Sequence, residues 1–154
     1  MNLECQFLVP LSKEISFEIL TDVLLIAPCI PGVTNIEQTD THLYKGEATI
    51  KLGPVKLVFS GIGKVVDINL ETYTVIVTAS GTDKKGKGGA EAKVAFTLED
   101  AVDQGKTKVN VNTELTLNGS IAQYGRASGL IEGVAQELTK EFSQNLETVL
   151  ASDD

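Results

Sequence analysis

Few residues in this 154-residue chain have the types and spacing that chemistry requires. Gly81 to Gly88 read G-x-x-x-x-G-K-G, one residue short of a phosphate-binding loop. The hydroxyl that would hold magnesium is missing after Lys87. A strand pattern follows where a helix N-terminus should face the phosphate. Lys84, Lys85 and Lys87 therefore read as a solvated hairpin tip, or as a small basic contact for anionic lipid or an acidic partner. Gly61-Ile62-Gly63 lacks the third glycine of a dinucleotide loop and lies within a strand pattern. The single histidine, His42, falls in a turn, and no serine or threonine has an evident base beside it. No metal-ligand spacing exists, so neither a metal site nor a cofactor is expected. Cys5 alternates with Leu3, Phe7 and Val9 as a small buried hydrophobe would; a disulfide to Cys29 stays open. Enzymatic activity is the weaker class of hypothesis, and binding the stronger.

Charge and composition narrow the partners. A net charge of -8 argues against nucleic acid, which needs a basic face. No apolar run approaches the roughly 20 residues that span a bilayer. The N-terminus has no basic start followed by an apolar run, so no signal peptide is expected. The expected location is the cytoplasm, as a single domain over residues 1–154.

The elements that must position any site are mostly strands. Leu3–Val9 alternates apolar and polar, and Pro10 stops it. Ser12 can cap a short helix near Lys13–Thr21 with Ile15, Ile19 and Leu20 inward, and Asp22 another turn through Val23–Ala27. Pro31-Gly32 suits a type II turn. Strands are then expected near Val33–Gln38, Leu43–Leu52, Val55–Ile68, Tyr73–Asp83, Gly89–Glu99 and Lys106–Leu117. The short breaks between them imply an antiparallel meander.

From Ser120 to Leu150 a single helix is expected, with a capping box of Ser120 and Gln123. Its stripe is Ile121, Tyr124, Ser128, Ile131, Ala135, Leu138, Phe142, Leu146 and Val149. It has an obvious place to bury that stripe, across the sheet. Gly125, Gly129 and Gly133 lie off the stripe, where a loop or another chain can pack closely.

Alternation assigns the inward rows. They include Tyr44, Gly46, Ala48 and Ile50; Leu57, Phe59, Gly61, Gly63 and Val65; Val75, Val77 and Ala79; Ala92, Val94 and Phe96; and Val109 to Leu117. The small members remove volume where a helix should press. Bending of the sheet and a cavity both explain them, and the two are compatible. The expected apolar pocket lies between sheet and helix, lined by Phe7, Ile50, Phe59, Gly61, Val77, Phe96, Leu115, Tyr124 and Ile131. Arg126, off the stripe, is expected at its mouth or against a partner.

Four segments carry a family resemblance: Ser16-Phe17-Glu18-Ile19-Leu20-Thr21-Asp22; Cys29-Ile30-Pro31-Gly32-Val33; Leu52-Gly53-Pro54-Val55-Lys56 with Phe59-Ser60-Gly61; and Gly119-Ser120-Ile121-Ala122-Gln123-Tyr124-Gly125-Arg126. With these the chain resembles the carbon monoxide dehydrogenase G-subunit family of the START-like (SRPBCC) superfamily. The resemblance implies an α+β helix-grip fold, a curved antiparallel sheet wrapped around a long C-terminal helix. It implies an accessory protein that binds an apolar, quinone- or lipid-like molecule. It also implies a molybdenum carbon monoxide dehydrogenase or related hydroxylase complex as partner at the inner face of the membrane. A ligand-free assembly module and a START-like hydrolase or cyclase are the alternatives. With helix running almost to Asp153-Asp154, only transient contact with a membrane surface is expected.

Overall fold

A computed structural model describes residues 1–102, 105–126 and 129–152. Its elements run β1 (Asn2–Val9), α1 (Lys13–Leu20), α2 (Val23–Ile26), a 3-10 turn (Ala27–Cys29), β2 (Val33–Asp40), β3 (Leu43–Leu52), β4 (Val55–Asn69), β5 (Thr74–Asp83), β6 (Gly88–Asp100), β7 (Thr107–Gly119), a 3-10 helix (Ser120–Arg126) and α3 (Leu130–Ser152). The strands form one curved seven-stranded sheet in the order β1-β7-β6-β5-β4-β3-β2. Every pairing is antiparallel. β2 to β7 are a meander, and β1 returns to pair with β7.

Local chemistry explains the elements. In β1, Leu3, Cys5, Phe7 and Val9 are buried while the alternate residues are exposed, the period-2 pattern of a sheet covered on one face. The Ser12 hydroxyl accepts from the Ile15 amide at 3.3 Å, and Asp22 Oδ1 accepts from the Leu25 amide at 3.3 Å. Both cap amides of a helix's first turn, and the Leu25 amide is shared with the Asp22 carbonyl at 3.1 Å. At Pro31-Gly32, the Val33 amide donates to the Ile30 carbonyl at 3.3 Å and Gly32 has φ +79°, as a type II turn demands. In α1 the buried side is Ser16, Phe17 and Leu20, and Ile15 is 48% exposed. The expected inward Ile15 is thus displaced: Phe17 takes the contact, its ring 5.4 Å from that of Tyr73.

Two apolar clusters hold the layers together. One joins Phe7, Val9, Phe17, Leu20, Cys29, Val75, Leu98, Val109 and Leu146. The other joins Leu3, Leu52, Leu57, Ile121 and Ile131. α3 reaches both, through Leu146 and Ile131, and lies against β1, the Ala27–Cys29 turn and β3. Gln136 Nε2 donates to the Glu4 carbonyl at 3.3 Å, and Asn145 Nδ2 to the Cys29 carbonyl at 2.9 Å. Both side chains satisfy backbone acceptors that the sheet and turn leave unpaired.

The C-terminal helix is not one continuous helix from Ser120. A 3-10 segment ends at Arg126, and Gly129, at φ +78°, precedes α3. The stripe's Ser128 lies outside the described residues. The Ser120 hydroxyl donates to the Lys87 carbonyl at 2.8 Å rather than forming a capping box. The start of the segment is thereby tied to the β5–β6 hairpin instead of to itself. Gly125, Gly129 and Gly133 consequently do not share one helix face. A Cβ at Gly125 would lie 3.2 Å from Met1 Cε, whereas Gly129 and Gly133 face open space.

Candidate functional site

The pairing register assembles a surface that no single strand announces. Gly46 pairs with Gly61, Gly61 with Gly81, and Gly81 with Ala90. The adjacent row runs Tyr44, Gly63, Ala79, Ala92 and Leu115. Across four strands, roughly 14 Å at sheet spacing, the concave face therefore carries almost no side-chain volume. Larger residues rim it: Ile50 and Phe59 toward one end, Val65 and Val77 toward the other. The opposite wall comes from α2, β2 and the connection between them, through Val23, Ile30, Val33 and Ile36. Together these enclose an open cavity of about 380 Å³ with an almost wholly apolar lining.

One wall depends on a backbone irregularity. Val33 and Ile36 are three apart, which in a regular strand would place them on opposite faces. Asn35 adopts φ +57°, and the β2–β3 register shifts between Thr34 and Glu37. The resulting bulge brings both side chains to the cavity.

Gly61 has a different task from the rest of the floor. A Cβ there would fall onto the Ser80 carbonyl oxygen and within 2.8 Å of Gly81 Cα. Glycine is needed for the close approach of β4 to β5 rather than to leave room for an occupant. Gly63 does leave room: nothing lies within 4 Å of its ideal Cβ except the Thr78 carbonyl oxygen at 3.9 Å.

Of the residues expected to form the site, Ile50, Phe59, Gly61, Val77 and Leu115 line this cavity. Phe7 is buried instead against Phe142, ring centroids 5.4 Å apart, and Phe96 packs on the same cluster. Ile131 is buried in the second cluster, with Tyr124 against it. Arg126 is exposed at the end of the 3-10 helix. No described residue of α3 lines the cavity. Its apolar side chains are consumed in packing on β1, the Ala27–Cys29 turn and the end of β3 at Leu52, and the open volume falls where the floor is smallest. Val23, Val33 and Ile36 were not expected in the wall. Only the bulge at Asn35 connects Val33 and Ile36 to it, and a left-handed asparagine leaves a faint signal in sequence.

A second depression, about 370 Å³, lies on the outer face among Lys64, Thr78, Glu91, Lys93 and Glu114. Its charges of both signs face water, as on any solvated sheet face. The apolar cavity is the better candidate because its lining cannot be satisfied by water.

The ionisable groups nearby are structural. Asp83, 6% exposed, closes the β5–β6 hairpin. Its carboxylate accepts from the Val58 amide at 3.2 Å, the Lys85 amide at 3.2 Å and the Lys87 amide at 3.1 Å. Burial pushes its pKa up, but these three amides and the Lys87 charge together hold it below the ordinary carboxylate value. Lys84 Nζ lies 2.8 Å from Glu47. Cys5 and Cys29 are both free and buried, and burial pushes the Cys29 thiol up; such a thiol is a poor nucleophile. His42 is exposed at φ +58° in the β2–β3 turn. Among the described residues no three His, Cys, Asp or Glu side chains gather as a metal set, and no helix is long and apolar enough to cross a membrane.

A curved antiparallel sheet holding a C-terminal helix, with a cavity on its concave face, is the helix-grip architecture. The chain belongs to the carbon monoxide dehydrogenase G-subunit (CoxG) family, which it matches over residues 6–151. No curated protein sequence matches it significantly. Among solved structures it is similar to a conserved protein of Geobacillus kaustophilus, at 21% identity and TM-score 0.83, covering 99% of this chain and 96% of that one. It is also similar to the ZhuI aromatase/cyclase of Streptomyces sp. R1128, at 12% identity and TM-score 0.65, covering 94% and 90%. Ara h 8.0201 matches at 19% identity and TM-score 0.63, covering 98% of each chain. Identities this low establish the fold alone.

Proposed function

We propose that this protein is an accessory protein that carries an apolar, quinone- or lipid-like molecule in the cavity between the β3–β6 floor and the α2–β2 wall. The observation that carries the reading is the floor itself: two registered rows made mostly of glycine and alanine under an apolar rim. Filling such a surface removes apolar area from water, at about 25 cal/mol per Å². A cavity of this size and lining matches the concave, mostly apolar sites that hold small molecules. Family membership adds the context. The protein serves a molybdenum carbon monoxide dehydrogenase or related hydroxylase, and works from the cytoplasm with transient contact at the inner face of the membrane. Leu24, Leu25 and Ile30 are 50%, 41% and 36% exposed beside the wall. They supply an apolar contact at the point where a ligand would pass to or from a bilayer.

Native mass spectrometry of the purified protein tests the binding reading. An added hydrophobic mass, released by organic solvent, is the expected result. Bare protein only, together with no uptake of a neutral apolar dye, rejects it. Flotation with anionic vesicles tests the membrane contact, which should be weak and diminished by salt.

A further inference from the structure

Among the described residues, the cavity lining holds a single polar side chain at an inward position, that of Tyr44. Lys45, Glu47, Lys64 and Ser80 also border the cavity, but they occupy the alternate, outward positions of β3, β4 and β5. Two of them are already engaged, Lys45 with Glu37 at 3.8 Å and Glu47 with Lys84 at 2.8 Å. The Tyr44 hydroxyl has no hydrogen-bond partner among the described residues. Tyr44 sits opposite Gly63, whose ideal Cβ position meets nothing closer than the Thr78 carbonyl oxygen at 3.9 Å.

We propose that the Tyr44 hydroxyl is the polar anchor of this cavity, and that the molecule it selects bears an oxygen acceptor, a carbonyl or ether, on an otherwise apolar body. The inference rests on the ligand-binding reading above. Tyr44 is half-buried, so water reaches its hydroxyl while the cavity is open. An occupant displaces that water. A hydrocarbon leaves the O–H without a partner among apolar groups, which is costly. An acceptor oxygen within reach of the O–H restores the hydrogen bond. Sites built around one such donor discriminate against analogues that lack its partner. The apolar floor supplies affinity, and Tyr44 supplies the choice among ligands of similar shape.

The test compares fluorene with fluorenone, which differ by one carbonyl, in displacing the neutral dye N-phenyl-naphthylamine from the full chain and from Tyr44→Phe. The parent should prefer fluorenone by about five- to tenfold, the worth of one net hydrogen bond. Tyr44→Phe should lose that preference while keeping its affinity for fluorene. Equal loss of both affinities in Tyr44→Phe would assign the ring a purely packing role and overturn the inference. So would the same preference in both proteins, or dye that neither competitor displaces; each leaves the cavity reading standing. A parent that takes up no dye overturns both.

Discussion

The concave face of this sheet is treated in two opposite ways. Over β1, β7 and the neighbouring ends of β5 and β6 it is filled: Phe7, Val9, Val75, Leu98 and Val109 meet Phe17, Leu20 and Leu146, every one of them buried. Over the middle of β3 to β6 the same face presents Gly46, Gly61, Gly63, Ala79, Gly81, Ala90 and Ala92 and remains open. Strand pairing, curvature and backbone hydrogen bonding are continuous between the two. Side-chain volume alone separates a core from a cavity. The filled half stabilises the chain, and that stability lets the open half go without packing of its own.

The largest expected effect breaks the filled half. Leu146 is 3% exposed in the first cluster, and Leu146→Ala should cost about 2–5 kcal/mol in a urea melt. Phe7→Ala should cost a similar amount. Leu138, half-buried and belonging to neither cluster, should lose distinctly less on truncation to alanine. A loss at Leu138 equal to that at Leu146 would mean that α3 presses on the open half as well.

A smaller effect separates two glycines of the floor. Gly61→Ala drives a methyl into the β5 backbone and should cost about 1–3 kcal/mol by overpacking. Gly63→Leu enters open space, so its melt should move by less than about 1 kcal/mol, whereas uptake of a neutral dye should fall by about tenfold or more. If Gly63→Leu leaves uptake unchanged, the ligand does not lie on this floor.

The subtlest effect is a pH dependence at the hairpin that closes the open half. Asp83 has a folded pKa below the ordinary carboxylate value of 3.8. Its contribution is thus present above that value and is lost as pH falls through the lower folded value. In Asp83→Asn this component is absent. Urea midpoints of the parent should therefore fall more steeply than those of the variant below about pH 3.8, with parallel behaviour above pH 6. Parallel curves throughout would show that the three amides do not depend on the charge.

Much of this was legible locally. Alternation in β1 and β3 to β7 named the inward rows, because a strand's faces follow from a two-residue period. Ser12, Asp22 and Pro31-Gly32 announced caps and a turn that form as their side chains and φ preferences require. Family motifs from Ser16 to Arg126 carried the architecture. The lining of the cavity was legible only in part. Residues on the inward rows of β3, β4, β5 and β7 were placed at the cavity, while Phe7, Phe96, Tyr124 and Ile131 were assigned to it from apolar periodicity. Periodicity reports which face a residue is on, not whether the volume before it is already occupied.

The sequence by itself determined which residues face inward, where charge stays in water, and that a helix must cover the sheet. Tertiary structure alone decided where that helix breaks, which half of the sheet it fills, and that a left-handed Asn35 turns Val33 and Ile36 into one wall. The physical reason is range. A face is set by neighbours two or four residues away, but a cavity is volume left over when distant segments have packed. Gly46, Gly61, Gly81 and Ala90 became a floor only when the hairpin registers placed them side by side.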